Sequence, residues 1–240
     1  MISISHVPPD WGFGNRLLFY NNLRQLAEKS GEVWHSVFWD GCDYFTGNML
    51  SSNIVVEDKH FYILDPCLGE HFFDWNVVST RSIFELKEKP KVEEGSVAIH
   101  FRGTDFFSWN FDAVLDKNYY MDAIDAIEDA KTYYIFTDDT TLPAYNSVLS
   151  RLDADKSKNV IVGENTPNRN NYIKDFSLMT ECEYIISSPS TYCICAGFIG
   201  KTKKIIHSEK WLDNRRKVND KFWVGLYNGG NDDYMIWRAI

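Results

Sequence analysis

Four short stretches bring together side chains that handle phosphate and sugar. The first, His100-Phe101-Arg102-Gly103-Thr104-Asp105, closes an apolar run. His100 and Arg102 are two apart, so in an extended chain they point the same way. A guanidinium suits bidentate recognition of phosphate, and Asp105 is placed to orient it or to act as a base. The plainer alternative is an Arg–Asp surface pair beside a hydrogen-bonded histidine. The second stretch, Asp138-Asp139, also ends an apolar run. A carboxylate there accepts from guanine or ribose, or caps the next helix. A divalent metal is disfavoured, because no third acidic ligand lies nearby. The third, Ser187-Ser188-Pro189-Ser190-Thr191, puts four hydroxyls where a helix should begin. That is a phosphate cradle or an ordinary set of N-caps. The fourth, His6 to Arg16, reads HVPPDWGFGNR. Gly12 and Gly14 let backbone approach a ligand closely, and the helix that follows offers its N-terminus to an anion. The stretch also reads as a tight turn.

Three other patterns fail their tests. Leu17 stands where a dinucleotide fingerprint needs its third glycine. Gly200-Lys201-Thr202 resembles a P-loop, but Cys195 occupies the first glycine position and the segment runs from helix to strand, the wrong order. No Gly-x-Ser-x-Gly elbow exists for a serine nucleophile.

The elements that must position these groups follow from hydrophobic pattern. Met1–Ser5 predicts a strand, and a helix is expected from about Asn15 to Gly31, with Phe19, Leu23 and Leu26 on one face. The stretch from Val33 to Thr80 is loosely α/β. ELKEKPKVEEG, from Glu85 to Gly95, reads as a linker. Beyond it strands are predicted at Val97–Phe101, Tyr133–Thr137, Asn159–Val162, Tyr184–Ser187 and Lys204–His207. Helices are predicted at Tyr119–Ala130, Leu142–Leu152, Ile173–Thr180 and Thr191–Ile199. Such alternation implies a doubly wound parallel sheet, which binds ligands beyond the carboxyl ends of its strands.

Composition narrows the class. The 240 residues, 44% hydrophobic and 25% charged, suit one large or two small globular domains, not a disordered chain. A net charge of −9 argues against non-specific nucleic-acid binding. No run of 18 apolar residues suggests a membrane span, and the opening residues show no signal peptide, so a cytoplasmic protein is expected. Five cysteines at spacings that fit no zinc template read as buried free thiols. Lys201, Lys203 and Lys204 with Arg215, Arg216 and Lys217 make the last third locally basic. They form a solvated face or, less simply, a peripheral contact with a membrane-linked acceptor.

Taken in order, the motifs resemble the α-1,2-fucosyltransferase family within the fucosyltransferase superfamily. Gly12-Phe13-Gly14-Asn15-Arg16 is similar to its N-terminal Gly-x-Gly-Asn turn. His100-x-Arg102-x-x-Asp105 is similar to its His-x-Arg-x-x-Asp motif, with Tyr119-Tyr120 and Ala123-Ile124 following. Ile135–Asp139 resembles its strand end. Asp175–Met179, Cys182 and Ser187–Ala196 resemble its later segment and serine turn, and Trp211 also fits. The family's Trp-Trp after that turn is here replaced by Cys193-Ile194-Cys195.

The resemblance implies a GT-B architecture of two Rossmann-like lobes facing a cleft. Residues 1–94 would be the acceptor lobe, 95–212 the nucleotide-sugar lobe, and 213–240 a segment returning to the first lobe. It implies inverting transfer of fucose from GDP-fucose to a glycan hydroxyl, with α-1,2 linkage and neither metal nor other cofactor. On that reading Gly14, Asn15, Arg102, Ser188, Ser190 and Thr191 hold the pyrophosphate, and His100 and Asp138 the guanosine. Asp105 or Asp10 would be the base. Two alternatives stand beside it: transfer from another nucleotide sugar, and a non-catalytic nucleotide- or glycan-binding module.

Overall fold

Continuous apolar runs, without polar alternation, mark the strands of the second half of the chain, as expected of a parallel sheet covered on both faces. The computed structural model describes residues 1–4, 7, 11–50, 62–63, 82–109, 114–164, 172–208 and 235–239. These fall into two units, divided between Glu88 and Lys89 inside the charged stretch Glu85–Gly95.

The first unit holds β1 (Ile2–Ile4), α1 (Phe13–Ser30), β2 (Trp34–Ser36), α2 (Gly41–Tyr44) and β3 (Tyr62–Ile63). Its three strands form a parallel sheet in the order β2-β1-β3. α1 begins at Phe13, two residues before the expected start, so Gly14 and Asn15 lie in its first turn. It is buried on most sides: Leu17, Leu18, Phe19, Tyr20 and Leu23 sit in a core shared with Trp34, Trp39, Phe45 and Phe84. Arg24 lies over the Trp34 ring at 4.0 Å and donates to the Tyr20 hydroxyl at 3.0 Å.

The second unit continues with β4 (Val97–Phe101), α3 (Phe106–Trp109), α4 (Lys117–Asp125), β5 (Thr132–Thr137), α5 (Pro143–Ala154) and β6 (Asn159–Val162). It closes with α6 (Tyr172–Glu181), β7 (Tyr184–Ser187), α7 (Thr191–Ile199), β8 (Lys204–Ser208) and β9 (Met235–Ala239). All six strands are parallel, in the order β6-β5-β4-β7-β8-β9. β4 and β5, interior strands of the described sheet, are buried throughout. Val97, Ile99 and Phe101 face α4 and α5, meeting Tyr120, Ile124, Tyr145 and Val148. The opposite face carries α6 and α7, which pack on each other.

The expected α/β class and parallel sheet are present. Three details differ. α4 starts at Lys117, because the Asp116 carboxylate accepts from the backbone N–H groups of Asn118 at 2.8 Å and Tyr119 at 3.2 Å. It ends at Asp125, five residues short of the expected Ala130. β9, a strand the hydrophobic pattern did not predict, pairs with β8 through its whole length. Two of the basic residues are neutralised, Lys201 by Glu181 and Lys203 by Glu183; Arg215, Arg216 and Lys217 lie outside the described residues. The described cysteines, Cys42, Cys182, Cys193 and Cys195, are free thiols, and all but Cys42 are buried.

Gly200, part of the rejected P-loop pattern, is required by packing. A Cβ there would stand 2.2 Å from the Thr180 carbonyl oxygen and 2.6 Å from its Cα, both backbone atoms that cannot swing aside. Gly200→Ala is therefore expected to destabilise the protein by about 1–3 kcal/mol, read as a lower midpoint in urea denaturation.

Candidate active site

In an open parallel sheet the chain leaves a crevice where successive strands depart in opposite directions, and ligands bind there beyond the carboxyl ends. β4, β5 and β6 run to one side of the second sheet, and β7, β8 and β9 to the other. The reversal falls between β4 and β7. The loop after β4 carries Arg102 to Asp105, and the loop after β7 carries Ser188 to Ser190. The Ser188 N–H donates to the His100 carbonyl at 3.1 Å, which ties the two loops together.

The loop after β4 is built around one carboxylate. Asp138, at the end of β5, accepts from the Gly103 N–H at 2.7 Å through Oδ1. Its Oδ2 accepts from the Thr104 hydroxyl at 2.8 Å and pairs with Arg102 Nη1 at 2.6 Å. Arg102 Nη2 reaches Asp105 at 2.7 Å, and the guanidinium lies 5.0 Å from the Phe106 ring centroid. Thr104 has φ of +41°, a left-handed conformation that a β-branched residue adopts only when its surroundings impose it. Gly103 is required by close approach, since a Cβ there would fall 2.9 Å from Asp139 Cβ. Asp139 itself accepts from the Thr141 backbone and hydroxyl and turns the chain toward α5.

These contacts show how the loops are held. Asp138 takes three partners from the loop after β4 and anchors Arg102. His100 is buried, and its Nδ1 shares a hydrogen bond of 2.6 Å with the Ser188 hydroxyl. His100 and Ser188 are thus hydrogen-bonded to each other, both buried. β4 ends at Phe101, so Arg102 is the first residue beyond the strand. Ser190 caps α7, its hydroxyl accepting from the Tyr192 N–H at 3.3 Å, and Thr191 opens the helix half-buried.

Gly14 and Asn15 belong to the first unit, Gly14 buried and Asn15 exposed in the opening turn of α1. Arg16 beside them pairs with Asp40 at 2.9 Å. Asp10 and Trp211 lie outside the described residues. Among the described residues no group of three or more His, Cys, Asp or Glu is arranged to hold a metal ion.

The sequence model of glycosyl transferase family 11 matches residues 74–227, more than half of the chain and every site residue of the second unit. The chain belongs to glycosyl transferase family 11. This is the α-1,2-fucosyltransferase family, and the protein is a glycosyltransferase, a fucosyltransferase, acting on a nucleotide sugar and a glycan acceptor. No curated protein sequence matches the chain. Among the described residues of this family 11 enzyme, no helix is long and apolar enough to cross a membrane.

Sequence reasoning missed the buried polar layer beneath these loops. The Ser187 hydroxyl meets His207 Nδ1 at 3.1 Å and the Cys193 thiol at 3.1 Å, all buried. The Tyr119 hydroxyl donates to the Ser187 and Ile206 carbonyls at 2.8 and 3.0 Å, pinning the ends of β7 and β8. The one available signal was polar residues, Ser187 and His207, at the ends of apolar strands.

Burial, helped for His100 by the Arg102 charge, pulls the pKa of both His100 and His207 down to about 3. An unfolded chain would protonate them below about pH 6.5, so they favour the folded state fully above that value. The contribution is lost as pH falls from there toward about 3. From pH 7 to pH 5 each is expected to cost about 2 kcal/mol. Urea titrations at the two pH values test this, and the loss should be about half as large in His207→Gln.

Proposed function

We propose that the protein transfers fucose from GDP-fucose to a glycan hydroxyl, with inversion at the anomeric carbon, an α-1,2 linkage and no metal ion. The observation that carries this reading is Arg102 at the switch point, its side chain 29% exposed and its orientation set by Asp138. As the glycosidic bond breaks, negative charge gathers on the departing pyrophosphate. A guanidinium aimed at that position, next to a helix N-terminus, stabilises this charge more in the transition state than in the ground state. The Ser190 and Thr191 hydroxyls, at the start of α7, add donors on the neighbouring strand end.

The supporting layer matters as much as the donors. His100 and Ser188 hold the β7 loop against β4, and Tyr119 fixes the strand ends, so the donor groups need little reorganisation when the charge develops. In the first unit, Gly14 and Asn15 in the opening turn of α1 have the backbone geometry of an anion site of the same kind. Displacement with inversion requires the acceptor hydroxyl to give up its proton, and Asp105 and Asp10 are the carboxylates the two motifs offer.

GDP is expected to raise the melting temperature without magnesium, whereas UDP and ADP at equal concentration do not. Arg102→Ala should lower kcat/KM for GDP-fucose by about 100-fold or more. Arg102→Lys should recover little of it, because an ammonium cannot span two phosphate oxygens as a fork. Near wild-type turnover in Arg102→Ala would contradict the assignment.

A further inference from the structure

Arg102 is held by two carboxylates of unequal standing. Asp138 is 20% exposed, and its oxygens also take the Gly103 N–H and the Thr104 hydroxyl. Detaching it would release the whole loop. Asp105 is 63% exposed, and it uses Oδ1 for both Arg102 and the Thr104 hydroxyl, at 2.7 and 3.0 Å. Detaching it leaves Thr104 still held by Asp138. An ion pair this exposed is weak, since both charges keep much of their hydration.

With both aspartates closed on Arg102 the cluster carries a formal charge of −1, which disfavours an incoming anion until one carboxylate moves away. The buried Arg102 Nε–H has no acceptor among the described residues. The cation therefore has donor capacity that neither aspartate uses, beside the crevice where strand order reverses.

We infer that Asp105 is an exchangeable counter-ion for Arg102, occupying in the empty enzyme the guanidinium edge that a pyrophosphate takes when nucleotide arrives. Asp138 stays and keeps the fork aimed. Asp105 swings into solvent, where its exposure makes the move cheap, and the phosphate oxygens, carrying more charge, replace it. Asp105 is thus a positioning residue that lowers donor affinity, not the base that takes the acceptor's proton. The inference rests on Arg102 being the pyrophosphate ligand, as proposed above.

The test is calorimetric titration of GDP into the full chain and its variants. Asp105→Asn removes the competing charge and is expected to tighten GDP about three- to tenfold, with a parallel fall in the KM for GDP-fucose. Asp105→Glu restores the competitor and should return the affinity toward wild type. A merely structural role would weaken binding, the opposite sign. Unchanged or weaker GDP binding in Asp105→Asn overturns the inference, as does a lost kcat at unchanged affinity, the signature of a base. Arg102→Ala separates the two levels. If it binds GDP as wild type does, the reading of Arg102 itself falls and the exchange with it. If it loses GDP while Asp105→Asn is unchanged, only the exchange falls.

Discussion

The ion pair between Arg102 and Asp138 is the constraint on which the site depends. An arginine one residue past a buried strand has nothing in that strand to hold it, and a flexible guanidinium is a poor catalyst. Asp138 sits at the end of the adjacent parallel strand, in a register that sets His100 against Phe136 and Phe101 against Thr137. Its carboxylate gathers the cation, one backbone N–H and one hydroxyl. Those bonds stabilise the left-handed Thr104, a conformation that costs of the order of 1–3 kcal/mol. The loop is thus strained and ordered by one acceptor, which fixes the direction of the positive charge before any ligand arrives.

Beneath that loop lies a buried polar layer without formal charge. His100 with Ser188, and Ser187 with His207 and Cys193, satisfy one another out of contact with water. Low dielectric strengthens each of these hydrogen bonds and makes an added proton expensive, which is why both imidazoles stay neutral. Burial also raises the Cys193 thiol to about 11, so it serves as a packed hydrogen-bonding group and not as a nucleophile. This neutral floor adds no charge of its own beneath Arg102 and the two aspartates that hold it.

Much of the second unit was legible in the sequence because its strands are uninterrupted apolar runs. Asn159–Val162, Tyr184–Ser187 and Thr191–Ile199 appear with the expected ends. The pattern fails where other forces decide. α3, with the sequence FFSW, has no periodicity to read in four residues. β9 was missed because MIWRA is a short run broken by a charged residue, Arg238. In the site, residue types were legible and their partners were not. Sequence places Asp138 at a strand end, but only the fold shows that Gly103 and Thr104 claim its oxygens. His100 and Ser188 are 88 positions apart, a distance across which no local pattern signals a hydrogen bond.

The most direct measurement is a crystal structure of the enzyme with GDP bound. Its diphosphate should lie over the carboxyl ends of β4 and β7, with oxygens within hydrogen-bond distance of the Arg102 guanidinium and the Asp138 pair intact. A diphosphate bound elsewhere, with Arg102 still closed on both aspartates, would contradict the claim that this cation is the leaving-group site.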